Sequence, residues 1–513
     1  WLVQLGLLDV YVRFAKIFAL RPELFPSCGQ RVLQAFVGTQ GIRSRDRRVV
    51  ARACYMFAKF IKLAKAQILP FAGDIYEALQ DTLAIPFIPS SLLLAAQATA
   101  PQSRLAPPSA PQILINGSLK LEDQACVFEA LAGLATAMPP EQLRVALRRM
   151  LEGPMANLAE LLNADASRLA ADPQGYSAWA ARSIEAISMV SKPFSQRQDC
   201  VLKDWEAALG LVSRTLEKCS GQFSADASLW RSTLFLSRRM VEVLSDLFLP
   251  SLDAMMPYLY SSAQADLLEL TSFAHQSVCF YQRRMQPFLK KWLHVLFLSP
   301  ASAWKQMPEQ SEQLKREKVE LGNAVLQLLK EISQRCPAVL LDQMLSSPQQ
   351  PQEQQHAGLV QELVSFLILG LSDPRELKAC LYAASTWSAL LESAVSPGSS
   401  PEALGALPLA HMCQQLLWTV VRLELSDLQS QKIMAEAAAI LRSVTSKRLL
   451  PAHMRAQGAE AVKQAIIGAV PGLRSDAAPT QLLEALAQDA PLREIRESLQ
   501  RCATEWRRDV GIA

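Results

Sequence analysis

The sequence predicts an all-α fold, an α-solenoid of antiparallel helix pairs of the HEAT-repeat type. Three observations support this class. Leu and Ala dominate the 513 residues and only 7% are aromatic, which favours helix–helix packing. Segments of helical periodicity recur in pairs about every 40–47 residues, so the length predicts on the order of ten pairs. No alternating polar–apolar run of any length predicts a strand.

The first pairs fall within residues 1–85. A helix opens at Trp1 and breaks at Pro22 and Pro26, and a shorter helix ends at Gly38. A long basic helix then runs towards Pro70, and a further helix follows it. Later helices are predicted, in pairs, over residues 121–138 and 141–162, 265–285 and 287–298, 316–336 and 337–345, and 428–447 and 450–470. One such pair cannot bury its own apolar faces, so neighbouring pairs are expected to stack.

Proline-rich and polar stretches interrupt the helical pattern. Residues 86–112 contain six prolines, so residues 86–118 are predicted to form a flexible insertion. Residues 346–356 are predicted to be a short linker, and residues 396–408 a similar loop. The predicted domains are therefore helical repeats over 1–85, 119–345 and 357–513.

The basic helix combines a buried stripe with a charged one. At about 100° per residue, one set of positions shares an apolar face, and the opposite face is basic. The apolar set is Val50, Cys54, Phe57, Ile61 and Ala64, and the opposite set is Arg45, Arg48, Arg52, Tyr55, Lys59 and Lys62. Residues 43–65 contain eight basic residues and a single acid, which gives +7 on a chain whose net charge is +4. A charged helix face is most often simply solvated, but such faces usually mix both signs. The excess of one sign indicates a binding surface for a polyanion.

Further basic clusters are weaker signals. Three basic residues share what is predicted to be one short helix, four more flank Pro287, and Arg238 and Arg239 lie in another helix. The first two clusters are Arg144, Arg148 and Arg149, and Arg283, Arg284, Lys290 and Lys291. Any one of them alone is typical of a solvated surface. Together with the basic helix they are expected to line the concave side of an array that contacts RNA through phosphates and 2′-hydroxyls.

No catalytic or metal-binding motif is present. Phosphate loops, nucleophile elbows and zinc-protease motifs are absent, and no CxxC occurs among the ten cysteines. Of the five histidines, only His411 has a cysteine nearby, and Cys413 at i+2 points away from it on a helix. Structural roles are therefore expected for the histidines, and no enzyme activity, metal or cofactor is predicted. The longest uncharged stretch, residues 82–103, contains three prolines, so no membrane insertion is predicted either.

Several stretches resemble one family. These are VQLGLLDVYVRFAKIFAL with the following GIRSRDRRVVARACYMFAKFIKLAKAQILPF, then ADLLELTSFAHQSVCFYQRRMQPFLKKWLHVLF, and LVSFLILGLSDPRELKACLYAASTWSALLE. In order and character they resemble the exportin-T family, the importin-β-like nuclear export receptors for tRNA. The match begins in the middle of the family's chain. The resemblance therefore implies the C-terminal portion of such a receptor, without the N-terminal repeats that make the main contact with Ran.

The resemblance implies a function and a site. It implies a monomeric, non-catalytic receptor that binds tRNA together with Ran-GTP, contacts nuclear pore proteins, and shuttles between nucleus and cytoplasm. The proposed phosphate contacts are Arg43, Arg45, Arg47, Arg48, Arg52, Lys59, Lys62 and Lys65. Tyr55 is expected to be a surface hydrogen-bonding residue on that face rather than a stacking platform. The alternative is a HEAT-repeat scaffold, or another karyopherin-like receptor, that binds an acidic protein partner.

Overall fold

The computed structural model describes most of the chain. The described residues are 1–93, 114–115, 119–194, 198–219, 227–261, 266–345, 353–395, 407–424, 427–446, 452–469 and 477–510. Most of the predicted insertion (94–113 and 116–118) and residues 346–352 and 396–406 lie outside this set. The described chain is almost entirely helical, which confirms the predicted all-α class, and it divides into two compact units, Trp1–Ala265 and Asp266–Ala513.

The first unit contains the basic helix. Its α-helices are α1 (Leu2–Phe14), α2 (Lys16–Leu20), α3 (Gln30–Val37), α4 (Arg47–Ile68), α5 (Ala72–Leu79), α6 (Leu121–Ala135), α7 (Pro140–Asn163), α8 (Ala166–Ala171), α9 (Pro173–Ser191), α10 (Leu202–Cys219), α11 (Ala227–Leu244) and α12 (Leu249–Ser261). Two short strands, β1 (Leu114–Ile115) and β2 (Leu119–Lys120), pair antiparallel as a small hairpin before α6.

The second unit continues the same pattern. Its α-helices are α13 (Leu267–Tyr281), α14 (Gln286–Gln306), α15 (Glu312–Arg335), α16 (Pro337–Leu345), α17 (Glu353–Gly370), α18 (Leu377–Ala394), α19 (Leu409–Arg422), α20 (Leu428–Thr445), α21 (Ala452–Ala469), α22 (Ala477–Ala487) and α23 (Leu492–Val510). A turn that contains Asp373 and Pro374 separates α17 from α18. Among the residues described here, none of the helices has both the length and the apolar character that crossing a membrane requires.

The helices of each unit stack in two rows. In the first unit α1, α4, α6, α9 and α11 contact one another in succession, and α7, α10 and α12 form the second row. In the second unit one row is α13, α15, α18, α20 and α23, while α14 packs on α17 and α19 on α21. Each helix therefore buries its apolar face against matching helices of neighbouring pairs, which is the solenoid arrangement.

Local sequence explains where helices begin. Four aspartates and one serine stand just before helix starts, and each side chain accepts a hydrogen bond from a backbone N–H of the first turn. These N-caps are Asp46 for α4, Asp172 for α9, Asp266 for α13, Ser311 for α15 and Asp427 for α20. The predicted helix over residues 141–162 is present as α7, so Arg144 and its neighbours lie on this long helix rather than on the short one expected for their cluster. Pro154 does not end α7, because the buried Leu151 and Leu158 on either side hold the 24-residue helix in the core.

The beginning of the predicted insertion is packed. The ring of Phe87 lies 4.5 Å from that of Tyr176 and 5.7 Å from that of Trp179, both on α9. Trp179 Nε1 donates a 2.9 Å hydrogen bond to the carbonyl of Ile85, and the backbone N–H of Ser90 donates to Asp172 Oδ2 at 2.8 Å. Residues 85–90 therefore belong to the packed first unit, although prolines surround them.

Candidate nucleic-acid interface

The two faces of α4 lie as the periodicity predicts. Val50 and Phe57 are fully buried and Ile61 is 1% exposed, whereas Arg48, Arg52 and Lys59 are exposed. Asp46 caps the helix by accepting from the backbone N–H of Arg48 at 2.9 Å. The packing of one face therefore fixes the basic face towards solvent, and this part of the prediction is confirmed.

The buried face is wider than the predicted stripe. Val49, Met56 and Phe60 are also buried, because α1 and α2 contact α4 on one side and α6 contacts it on the other. The ring of Phe60 lies 5.3 Å from that of Phe36 and 6.1 Å from that of Phe18. Neighbouring helices cover both flanks of a helix in the interior of a row. Only a narrow basic ridge of α4 therefore remains exposed, and it consists of Arg47, Arg48, Arg52, Lys59 and Lys62.

Acidic side chains neutralise part of this ridge. Arg52 Nη2 lies 2.7 Å from Asp9 Oδ1 on α1, and Arg43 Nη2 lies 2.6 Å from Asp81 Oδ1. Arg48 Nη2 lies 2.6 Å from Asp46 Oδ2. The hydrogen bonds from Arg48 lower the pKa of Asp46 to about 2. The hydrogen bond from Arg52 likewise lowers the pKa of Asp9.

Glu129 on α6 joins two lysines. Its carboxylate lies 2.7 Å from Lys62 Nζ and 2.6 Å from Nζ of Lys192, just after α9. Burial of Glu129 acts to raise its pKa, but hydrogen bonds from Lys192 and Lys62 outweigh burial and lower it. The backbone carbonyl of Lys192 accepts a 2.9 Å hydrogen bond from Arg239 Nη2 on α11. Basic side chains from α4, from the end of α9 and from α11 are thus linked across one row of helices.

The remaining members of the stripe differ in their surroundings. Lys65 is half-buried and donates a 2.6 Å hydrogen bond to Thr136 Oγ1, and burial lowers its pKa. Arg45 and Arg47 are exposed. Neither Arg45 nor Lys59 forms an ion pair with any part of the chain that the structure describes. Neighbouring elements contribute three acids to these cations: Asp9, Asp81 and Glu129. They reduce the local net charge around residues 43–65 from +7 to +4.

Aromatic rings also contact the basic stripe. Lys59 Nζ lies 4.4 Å from the centre of the Tyr55 ring, and the Arg52 guanidinium carbon lies 5.7 Å from it. The Arg48 guanidinium stacks over the ring of Trp1 at 3.8 Å. Tyr55 therefore serves as a platform for cations of its own helix, and these contacts hold long side chains in fixed positions.

The secondary clusters are engaged with neighbouring residues. On α7, Arg148 Nε lies 2.7 Å from Asp204 and Arg144 Nε lies 3.4 Å from the same carboxylate. The Arg149 guanidinium lies 5.9 Å from the ring centre of Tyr76. One partly buried carboxylate serves two of the three arginines, so this cluster keeps a local charge of +2.

In the second unit, the structure adds a residue to one cluster. Arg283 and Arg284 line a cavity of about 430 Å³ together with Arg335 from the end of α15. Lys290 Nζ lies 2.8 Å from Asp342, and Lys291 Nζ lies 5.0 Å from the ring centre of Trp292. Three arginines around one cavity are suited to bind an anionic group.

Sequence reasoning missed Lys192, Arg335 and one mixed cluster. Lys192 and Arg335 stand alone in sequence, and only the stacking of helices places them beside other cations. The mixed cluster is His275, Cys279 and Glu331, whose ligand-type atoms lie within 4.8 Å of one another. The expectation that only His411 has a cysteine nearby is therefore wrong, since His275 and Cys279 at i, i+4 share one face of α13.

The fold resembles that of a solved importin structure. A structure described as importin13 in its cytosolic state aligns with 94% of this chain and 48% of its own, at a TM-score of 0.54 and 14% identity. At this identity the likeness concerns the fold, and it places the chain among HEAT-repeat α-solenoids.

Sequence comparison gives the family. The family model described as Exportin-T matches residues 2–298, more than half of the chain. Exportin-T of Homo sapiens is 26% identical over 311 residues, covering 58% of this chain and 29% of that protein. Exportin-T of Danio rerio is 26% identical over 324 residues, covering 61% and 30%. The chain belongs to the exportin-T family, and its matched part spans about 30% of the length of these relatives.

Proposed function

We propose that this chain is part of a nuclear export receptor for tRNA and that the basic ridge of α4 contacts tRNA phosphates. The proposed receptor binds tRNA together with Ran-GTP, contacts nuclear pore proteins and shuttles between nucleus and cytoplasm. It binds and releases its cargo without catalysing a reaction. Membership of the exportin-T family supports this proposal.

One observation about the structure carries the assignment of the site. Residues 43–65 keep a local charge of +4 after their ion pairs are counted, and the exposed Lys192, just after α9, shares Glu129 with Lys62. A ridge of cations on successive helices matches the repeated negative charges of a nucleic-acid backbone. The exposed groups of the ridge are guanidinium and ammonium donors, which bind phosphate oxygens rather than reading base edges. The proposed contacts are therefore to phosphates and 2′-hydroxyls, which identify RNA by its shape.

Charge reversal tests the site. Changing Arg48, Arg52, Lys59 and Lys62 to Glu should weaken the binding of every tRNA alike, because phosphates are common to all of them. Each lost phosphate contact should lower the slope of log affinity against log salt by about 0.7–0.9, using values measured for DNA. Anisotropy of labelled tRNA over a series of salt concentrations measures both quantities, and circular dichroism checks that helix content is unchanged.

A matched variant separates the site from total charge. Arg21, Lys315, Arg375 and Arg493 are exposed and paired with acids elsewhere, so changing these four to Glu alters the net charge equally. Equal loss of tRNA binding in both variants would refute the assignment to α4. If the α4 variant keeps its salt slope for tRNA but loses an acidic protein partner, the scaffold function is correct instead.

The Ran part of the proposal has its own test. If Ran-GTP and tRNA favour the same conformation, each must raise the affinity of the other by the same factor, typically about 5–150-fold. tRNA titrations with and without GTP-loaded Ran measure one side of this cycle, and Ran titrations with and without tRNA measure the other. Since the resemblance implies that the main Ran-binding repeats are missing, weak coupling is expected for this chain alone, and strong coupling would show that this part of the receptor contributes Ran contacts.

A further inference from the structure

Three side chains of different chemistry meet between α13 and α15. His275 and Cys279 lie one turn apart on α13, and Cys279 Sγ is 3.6 Å from His275 Nε2. Glu331 on α15 faces them, and one ligand-type atom from each residue lies within 4.8 Å of the other two. All three residues are partly buried, so the cluster is accessible to a small ion but shielded from bulk water.

The spacing matches a tetrahedral transition-metal site. A zinc ion binds a cysteine sulfur at about 2.3 Å and a histidine nitrogen at about 2.0–2.1 Å, so tetrahedral geometry places the two ligand atoms about 3.6 Å apart. The distance between Cys279 Sγ and His275 Nε2 has this value before any adjustment. His275 and Cys279 therefore already occupy two positions of a tetrahedral site. A small movement of the Glu331 side chain would bring a carboxylate oxygen to a third position.

The polar groups around the cluster are incompletely satisfied. Among the residues that the structure describes, the buried Glu331 Oε2 has no hydrogen-bond partner, and its ion pair with Arg335 Nε is long, at 3.6 Å. Burial lowers the pKa of His275, although the charge of the neighbouring Glu331 opposes this shift. Burial, together with the charge and hydrogen bonding of Glu331, raises the pKa of Cys279, so without a metal its thiol is protonated.

We propose that His275 Nε2, Cys279 Sγ and a Glu331 carboxylate oxygen bind one divalent transition-metal ion of the zinc class, with a fourth position left for water or an external ligand. Imidazole, thiolate and carboxylate are all zinc ligands, and three protein ligands with one open position is a known zinc arrangement. The soft sulfur and the nitrogen select against magnesium and calcium, which prefer oxygen ligands.

Charge and proton balance are satisfied. The Cys279 thiol releases its proton to solvent when sulfur binds the ion, so thiolate and carboxylate together carry two negative charges. These two charges neutralise the divalent ion. The ion joins α13 to α15, which are consecutive helices of one row in the second unit.

Cobalt is the spectroscopic probe for this site. We expect the chain, prepared without an affinity tag and treated with chelator, to bind one Co²⁺ per molecule with a thiolate-to-cobalt charge-transfer band in the near ultraviolet. Zinc should displace the cobalt and abolish the band. Cys279→Ser should eliminate the band, and His275→Gln and Glu331→Gln should each lower affinity by more than the about 10–100-fold that loss of an outer-shell partner causes.

A control cysteine and a folding check complete the experiment. Cys28 is exposed and distant in sequence, so Cys28→Ser should leave both the band and the stoichiometry unchanged. Circular dichroism shows whether each variant is folded, and Zn²⁺ should raise the melting temperature of the unaltered chain but not that of Cys279→Ser. A band that survives Cys279→Ser, a band that disappears in Cys28→Ser, or failure to bind Co²⁺ would each overturn the proposal. None of these measurements involves tRNA, so their outcome is independent of the transport function.

Discussion

Replacing Glu129 by Gln is expected to strengthen tRNA binding, although it removes two ion pairs. The carboxylate lies 2.7 Å from Lys62 Nζ and 2.6 Å from Lys192 Nζ. Both lysine side chains are largely solvent-accessible, at 64% and 45%, whereas Glu129 is only 12% exposed. Without the carboxylate, both ammonium groups become available to phosphates, and the ridge gains one positive charge.

The magnitude follows from counterion release. One phosphate contact contributes about 0.7–0.9 to the slope of log affinity against log salt, which corresponds to about four- to sixfold in affinity at about 0.15 M salt. Glu129→Gln should therefore tighten tRNA binding about fourfold or more and make the salt dependence steeper. Stability should change little, because ion pairs with exposed partners contribute about 0–1 kcal/mol each.

Two comparison variants show whether the effect on tRNA binding is specific to Glu129. Asp204 on α10 also joins two basic residues, Arg144 and Arg148, so Asp204→Asn tests the secondary cluster in the same way. Glu160→Gln breaks an exposed ion pair with Arg168 and should have no effect on tRNA. Anisotropy titrations of all three variants over a salt series provide the measurement. Unchanged or weaker tRNA binding by folded Glu129→Gln would refute the proposed role of the ridge.

Three further predictions concern stability and pH. Phe57→Ala should destabilise the first unit by about 3–5 kcal/mol in urea unfolding, because the ring of Phe57 is fully buried and its centre lies 6.0 Å from that of Phe36. A loss of stability below about 1 kcal/mol would mean that the cavity collapses or that the ring is not in the core. The Asp46 pKa falls from 3.8 to about 2 on folding, so its ion pair with Arg48 stabilises the protein above pH 4 and is lost as pH falls towards 2. Asp46→Asn keeps a side chain that can cap α4 but removes the ion pair. The variant should therefore be less stable than the unaltered chain at neutral pH and equally stable near pH 2. A difference in stability that does not depend on pH would show that the ion pair is not its cause. Arg182 is 9% exposed, burial lowers its pKa to about 10, and within the described part of the chain two of its guanidinium nitrogens lack hydrogen-bond partners. Arg182→Met should therefore raise the midpoint of urea unfolding by an amount equivalent to about 1–4 kcal/mol, and a lower midpoint would contradict the idea that the buried charge is destabilising.

Local patterns in the sequence were enough to predict α4. The 3.6-residue period separates Phe57 from Lys59 without knowledge of any neighbour, and the break near Pro70 follows from proline chemistry. The width of the buried face could not be predicted in this way. Phe60 is buried because α1, α2 and α6 pack on both flanks of α4, and those contacts depend on the order of stacking.

The partners of the basic residues are the part that sequence reasoning could not supply. Asp9 and Glu129 lie 43 and 67 residues away from the cations that they bind, so no local pattern joins them. The pair His275 and Cys279 was visible as an i, i+4 spacing, but Glu331 comes from the next helix of the row. Charge counted along the chain therefore overestimates the charge that a ligand would meet.

The stacking of helices in rows also determines how the chain folds. Within each unit, a helix contacts mainly its neighbours in the two rows, so each step of assembly closes a loop of tens of residues rather than one that spans the whole unit. Folding can then begin at several places and spread between neighbours, as expected for a protein of low contact order. The two compact units should unfold in separate transitions, and the stability changes expected for Phe57, Asp46 and Arg182 variants should appear in the transition of the first unit. Hydrogen exchange should accordingly report a range of opening free energies along the chain rather than one global value.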